Sequence, residues 1–148
     1  MLQLFESSLE AVTALALFIP LLVGTGGNVG AQAATSAVRA LAVGEVRPSD
    51  ALRVAWRESR VGLLLGLVLG VLALVAGWIV AGVLVGITVG ISVVLVCIWA
   101  ATVGSLMPLM AKSMNIDPAV ISAPLVTTLV DATGLVIYFV VAGLVLGL

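Results

Sequence analysis

From Ile121 to Leu148 the chain carries one ionisable side chain besides Tyr138, the carboxylate of Asp131. A run of that length, at about 1.5 Å per helical residue, crosses the roughly 30 Å hydrocarbon core of a bilayer. Asp131 then falls near mid-membrane, where a carboxylate costs roughly 2.5–3.5 kcal/mol on insertion scales. Such a residue normally turns toward a bundle interior, a cavity or an ion path.

The rest of the composition agrees with a chain that lives in lipid. Of 148 residues 63% are hydrophobic and 9% charged, with a mean hydropathy of +1.38, far from a soluble globular domain. A net charge of −1 gives no basic surface for nucleic acid. Histidine is absent and Cys97 is the single cysteine, which excludes an intrachain disulfide and a thiol or imidazole cluster for zinc or haem. Cys97, in VLVCIWA, reads as a small core residue. No phosphate-binding loop with its lysine is present, so no nucleotide motor is expected. The opening MLQLFESSLEAV lacks the basic first region of a cleavable signal and reads as a loop or an amphipathic lead-in.

Hydrophobic runs predict an all-α, polytopic helix bundle with four spans, near residues 11–43, 61–80, 83–110 and 119–147. The first span contains Pro20 and a glycine-rich centre with Gly24, Gly26, Gly27 and Gly30, and is expected to be interrupted. Glycines at such spacing also serve close helix packing. Asn28 and Gln32, one turn apart on a shared face, favour a functional break over packing alone. The last span places Thr127, Thr128, Asp131, Gly134 and Tyr138 at offsets of three or four, and they read as one stripe.

The polar interval GEVRPSDALRVAWRESR offers Pro48 with Ser49 or Asp50 as a helix start, followed by Arg53, Arg57 and Arg60. Lys112 marks the second positive connection, and Asp117-Pro118 there suits the cap of the last helix. By the positive-inside rule the loops near 45–60 and 111–118 are cytoplasmic, and both termini of this chain lie outside. Glu58 is expected either to pair with an arginine or to line a cytoplasmic ion entrance. Gly62, Gly66 and Gly70, four residues apart, make one smooth helix face. Ser92, Thr102 and Ser105 are expected to bond to their own backbone.

A carboxylate, amide oxygens, hydroxyls and carbonyls are hard ligands that suit magnesium or calcium. Magnesium fits best as the transported ion, because it keeps its waters and needs only one or two carboxylates. Four spans are few for a pore, and a homodimer would bring two copies of Asp131 and Asn28 to a two-fold axis. A divalent ion moving down a 100 mV potential releases roughly 4.6 kcal/mol, at about 2.3 per charge. No organic cofactor and no enzymatic reaction are expected, since an intramembrane aspartyl protease needs a second aspartate within a span and Asp117 lies in a loop. Two other readings remain: a cation-coupled carrier with its substrate at the interrupted helix, and a non-conducting assembly or regulatory subunit whose polar stripes serve helix association.

The segments FIPLLVGTGGNVGAQAATSAVRALAVGEV, WRESRVGLLLG and DPAVISAPLVTTLVDATGLVIYF resemble, in residue type, order and separation, the membrane domain of MgtE-type magnesium transporters. The resemblance covers nearly the whole chain and implies a homodimeric magnesium channel in the plasma membrane, lined by the first and last segments. It implies Asp131 as central ion ligand, with Asn28 and Thr127 near it and Glu58 toward the cytoplasm. Gly26, Gly27, Gln32, Ala123, Thr128 and Gly134 would line the pore. Ala123 stands where the family pattern leads one to expect asparagine, so one polar pore ligand is missing. The resemblance further implies a fifth, preceding helix and cytoplasmic sensor domains upstream, with a partner chain as another source for that helix.

Overall fold

The computed structural model describes residues 2–121 and 123–147, with side chains from residue 13 onward. It contains four long helices: α1 (Leu2–Ala42), α2 (Ala51–Ala81), α3 (Val83–Ser113) and α4 (Ala123–Leu146). Each includes a stretch long and apolar enough to cross a membrane, namely Thr13–Ala42, Pro48–Ala81, Val83–Ser113 and Ala123–Leu146. The backbone before Thr13 is helical rather than a loop, and the expected amphipathic character there concerns side chains outside the described residues.

The connections follow from local chemistry. α1 ends at Ala42; Gly44 beyond it has a φ of 75°, the left-handed conformation common after a helix C-terminus, and Glu45 N–H returns to the Ala40 carbonyl at 2.9 Å. The Asp50 carboxylate accepts from the Arg47 N–H at 2.9 Å, closing a 3-10 turn over Pro48–Asp50 that leads directly into α2. The predicted helix start at Pro48–Asp50 is therefore observed, ahead of the apolar run. α2 and α3 are joined by Gly82 alone, at φ 90° and ψ 171°, a conformation open to glycine. α3 ends at Ser113, and Asn115 just beyond it has a φ of 59°. Asp117 accepts from the Ala119 N–H at 2.9 Å, but it caps only the 3-10 turn Pro118–Val120. α4 starts later, at Ala123 with Pro124 second, which corrects the expected cap of the last helix.

α3 is the centre of the bundle: α1, α2 and α4 all pack on it, α1 also packs on α4, and α1 scarcely touches α2. The α2–α3 contact is made through glycines. A Cβ at Gly66 would lie 2.9 Å from the Val94 Cα, and one at Gly77 would lie 2.8 Å from the Gly86 Cα. On the opposite flank a Cβ at Gly104 would come within 3.0 Å of the Gly30 Cα, and closer still to its carbonyl oxygen. Cys97 is fully buried in this core, as its setting predicted. Thr88, Ser92, Thr102 and Ser105 all donate to carbonyls of α3 three or four residues back.

The first span is not interrupted, contrary to the sequence expectation: α1 runs unbroken through Pro20 and the GTGGN stretch. Unwinding at membrane depth would strand backbone donors and acceptors in hydrocarbon, and the glycines are used otherwise. Gly26 faces Val96 and Val130, and Gly30 faces Val126, Val130 and the Ala100 carbonyl. Packing, the alternative reading of these glycines, accounts for both. Substituting Gly104→Val should force α1 off α3 and cost about 1–3 kcal/mol as overpacking. Gly24→Ala, where a Cβ meets nothing within 4 Å, should leave stability equal or better. Thermal unfolding in detergent micelles checks both.

Candidate ion-binding site

The buried stripe of α4 is Val126, Val130, Gly134 and Tyr138, one residue every turn. Tyr138 is fully buried and donates to the Leu15 carbonyl at 2.9 Å, anchoring α4 to the first half of α1. The stripe expected from sequence therefore divides. Gly134 and Tyr138 belong to the packed face, while Thr127 and Asp131 lie beside it, toward α1.

There Gly27 opens a place for the carboxylate. A Cβ on Gly27 would lie 3.1 Å from Asp131 Oδ1, 3.4 Å from Thr127 Cγ2 and 3.5 Å from Thr127 Cβ. The carboxylate is thus held against bare α1 backbone. Asp131 Oδ1 is buried and has no hydrogen-bond partner among the described residues. An orphaned carboxylate oxygen is costly at this depth and calls for a cation, a proton or water. The Thr127 and Thr128 hydroxyls both donate to the Pro124 carbonyl, at 3.0 and 2.8 Å. Their oxygens keep lone pairs for a further donor, such as a water of a hydrated ion.

Asn28 and Gln32 lie on the exposed face of α1. So does Thr35, two turns beyond Asn28, which donates to the Ala31 carbonyl. Thr35 was not among the sequence candidates, although its seven-residue offset from Asn28 could have found it. Thr128 and Ala123 are exposed on α4. Gly26 and Gly134 do not join this polar face: both turn toward Val96 of α3, because each fills a close helix contact. Glu58 is also separated from Asp131. It lines a cleft of about 210 Å³ with Val29, Gln32 and Ser36, on the α2 side of α1, whereas Gly27 and Asp131 meet on the α4 side. The face bearing Asn28 lies between them. Among the described residues no three acidic, histidine or cysteine side chains converge as a metal cage, so one chain offers a single carboxylate at mid-helix.

With this geometry in place, comparison with known proteins is decisive. The MgtE family of divalent cation transporters matches residues 19–141. The chain belongs to that family. It is 48% identical over 145 residues to the magnesium transporter MgtE of Thermus thermophilus, covering 98% of this chain and 32% of the relative. It is 34% identical to the Enterococcus faecalis magnesium transporter MgtE, covering 95% of this chain and 31% of the relative. The chain thus spans about a third of the length of these curated relatives. Within the MgtE family it is a multi-pass helical membrane protein whose four helices can each span the bilayer.

If Gly27 makes room for the carboxylate, filling that room should move it. Gly27→Val is expected to displace Asp131 and weaken divalent-ion binding by roughly 10- to 100-fold, the usual range for loss of a ligand's supporting group. Gly27→Ala should do so less, since a 3.1 Å approach is relieved by a small shift. Magnesium titration by calorimetry on the purified protein distinguishes the two.

Proposed function

We propose that this chain forms the ion-conducting part of a magnesium transporter, with Asp131 as the central ligand of a hydrated ion at the two-fold axis of a homodimer. The observation that carries the reading is the buried, unpartnered Asp131 Oδ1 set against Gly27. The transporter names of the relatives support it.

A second copy meets two needs of the single chain. Asn28 and Gln32 are exposed at membrane depth, where amide groups facing lipid are expensive. One carboxylate balances only half the charge of a divalent ion. Pairing the Asn28 faces about a two-fold axis covers the amides and brings a second Asp131 to the same level. The paired carboxylates repel without a cation, and a divalent ion between them removes the repulsion.

Magnesium sheds its waters reluctantly. Asp131 therefore accepts hydrogen bonds from the ion's waters rather than binding the metal directly, and the Thr127 oxygen and Asn28 amide accept others. The exposed residues Asn28, Gln32 and Thr35 continue a polar track along α1 toward the end where Glu58 lies, which supports a role for Glu58 at the cytoplasmic mouth. In this arrangement the loops containing Arg47–Arg60 and Lys112 face the cytoplasm of the cell membrane, and the ends of this chain face outward. The carrier alternative set its substrate at an interrupted first helix, and the continuity of α1 supports the channel reading over it.

Reconstituted in liposomes under an inward-negative potential, the protein should pass magnesium. Asp131→Ala should lower the flux by at least about tenfold, in the range lost with a metal-site group, while the protein remains dimeric on size-exclusion chromatography. Unchanged flux in an intact dimer would overturn the assignment; loss of assembly instead of flux would favour the non-conducting subunit.

A further inference from the structure

The shallow contact between α1 and α2 leaves a groove whose floor is α3, and three clefts succeed one another along it. The first, about 260 Å³, is lined by Ser36 and Arg39 of α1, Glu45 of the loop, Arg57 and Glu58 of α2, and Ser105 of α3. The second, about 210 Å³, shares Ser36, Arg57 and Glu58 and continues to Val29, Gln32, Leu65 and Ala101. The third, about 230 Å³, is lined by Leu21, Thr25, Leu69, Leu72, Ala73 and Val93. Residue numbers fall along α1 and α3 and rise along α2 in the same order, so the clefts form one path from the membrane surface inward.

The polarity of this path changes once. Its outer end carries two guanidinium groups and two carboxylates, and no ion pair or hydrogen bond engages these four side chains among the described residues. Opposite charges that share a cleft yet stay apart leave room for a group between them. The inner end is aliphatic apart from Thr25. From Arg57 to Leu69 the groove follows α2 for roughly 18 Å, close to the roughly 15 Å depth of one leaflet's hydrocarbon.

We infer that this groove is a binding site for a phospholipid bearing a phosphoethanolamine headgroup. Its phosphate lies between Arg39 and Arg57, whose planar forks match phosphate oxygens. The primary ammonium, with three donors, faces Glu45 and Glu58, and one acyl chain follows Val29, Leu65 and Leu69. An anionic headgroup without an amine would leave both carboxylates beside added negative charge. A choline headgroup offers no N–H donor to them. The balanced charge of the mouth thus selects the zwitterion with a donating amine. This site lies on the α2 side of α1, away from Asp131; it shares Glu58 and the edge at Gln32 with the mouth of the proposed ion path, but none of the groups gathered around Asp131.

The test uses the purified full chain in detergent, loaded from mixed vesicles of phosphatidylethanolamine, phosphatidylcholine and phosphatidylglycerol and then delipidated stepwise under native mass spectrometry. Phosphatidylethanolamine should be retained longest. The double substitution Arg39→Ala with Arg57→Ala should lower its retention about tenfold, as expected for loss of charge-assisted contacts. Ser36→Trp, which fills the groove without changing its charge, should lower it similarly. Arg53→Ala, exposed and absent from the cleft lining, should leave retention unchanged. Equal retention of the three lipids, preference for phosphatidylglycerol, or an Arg53→Ala loss equal to that of the double variant would each overturn the inference.

Discussion

Close backbone approach on both flanks of α3 is the contact on which this structure depends. Lipid offers no hydrophobic drive between helices, so association rests on dispersion at short range. Glycines shorten that range. On one flank Gly66 and Gly77 let α2 meet α3 at van der Waals distance; on the other, Gly104 and Gly30 do the same for α1. With α1 fixed in this way, α4 closes against both, and the Tyr138–Leu15 hydrogen bond sets its height. Asp131 reaches Gly27 only because these contacts set the rotation and register of α1 and α4.

One helix therefore serves three neighbours. The flank of α1 with Gly26 and Gly30 packs on α3, its Gly27 edge receives the carboxylate, and its other edge borders the groove against α2. The remaining face, with Asn28, Gln32 and Thr35, is exposed. A polar face in an apolar solvent is unfavourable until covered, and a copy of itself is the simplest cover. In the proposed dimer, function and assembly are linked through this one exposed strip.

Much of this was legible in the chain. Four spans, the positive loops, the turn at Pro48–Asp50, the hydroxyls bonded to their own helix and the place of Asp131 within the last span follow from hydropathy, charge placement and capping chemistry. The MgtE-like segments GTGGNVGAQAAT and PLVTTLVDATGLVIY carried the family as well. Less legible was what the glycines near Asn28 do. Pro20 and four nearby glycines suggest a break as readily as a contact, because glycine both loosens a helix and allows another helix to approach. Only a neighbour decides between them, and Val96 and Val130 are those neighbours.

The sequence by itself determined that the chain is helical, spans a membrane and holds a carboxylate at mid-depth, since these follow from the length and polarity of single segments. Tertiary structure alone decided which groups that carboxylate meets. Spacing of three and four residues put Thr127, Asp131, Gly134 and Tyr138 together, yet the packed stripe takes the last two and leaves the first two facing α1. A helical period defines only neighbouring positions on one cylinder. Which side of the cylinder is covered depends on where α3 and α1 press, and that is set by contacts between residues far apart in the chain.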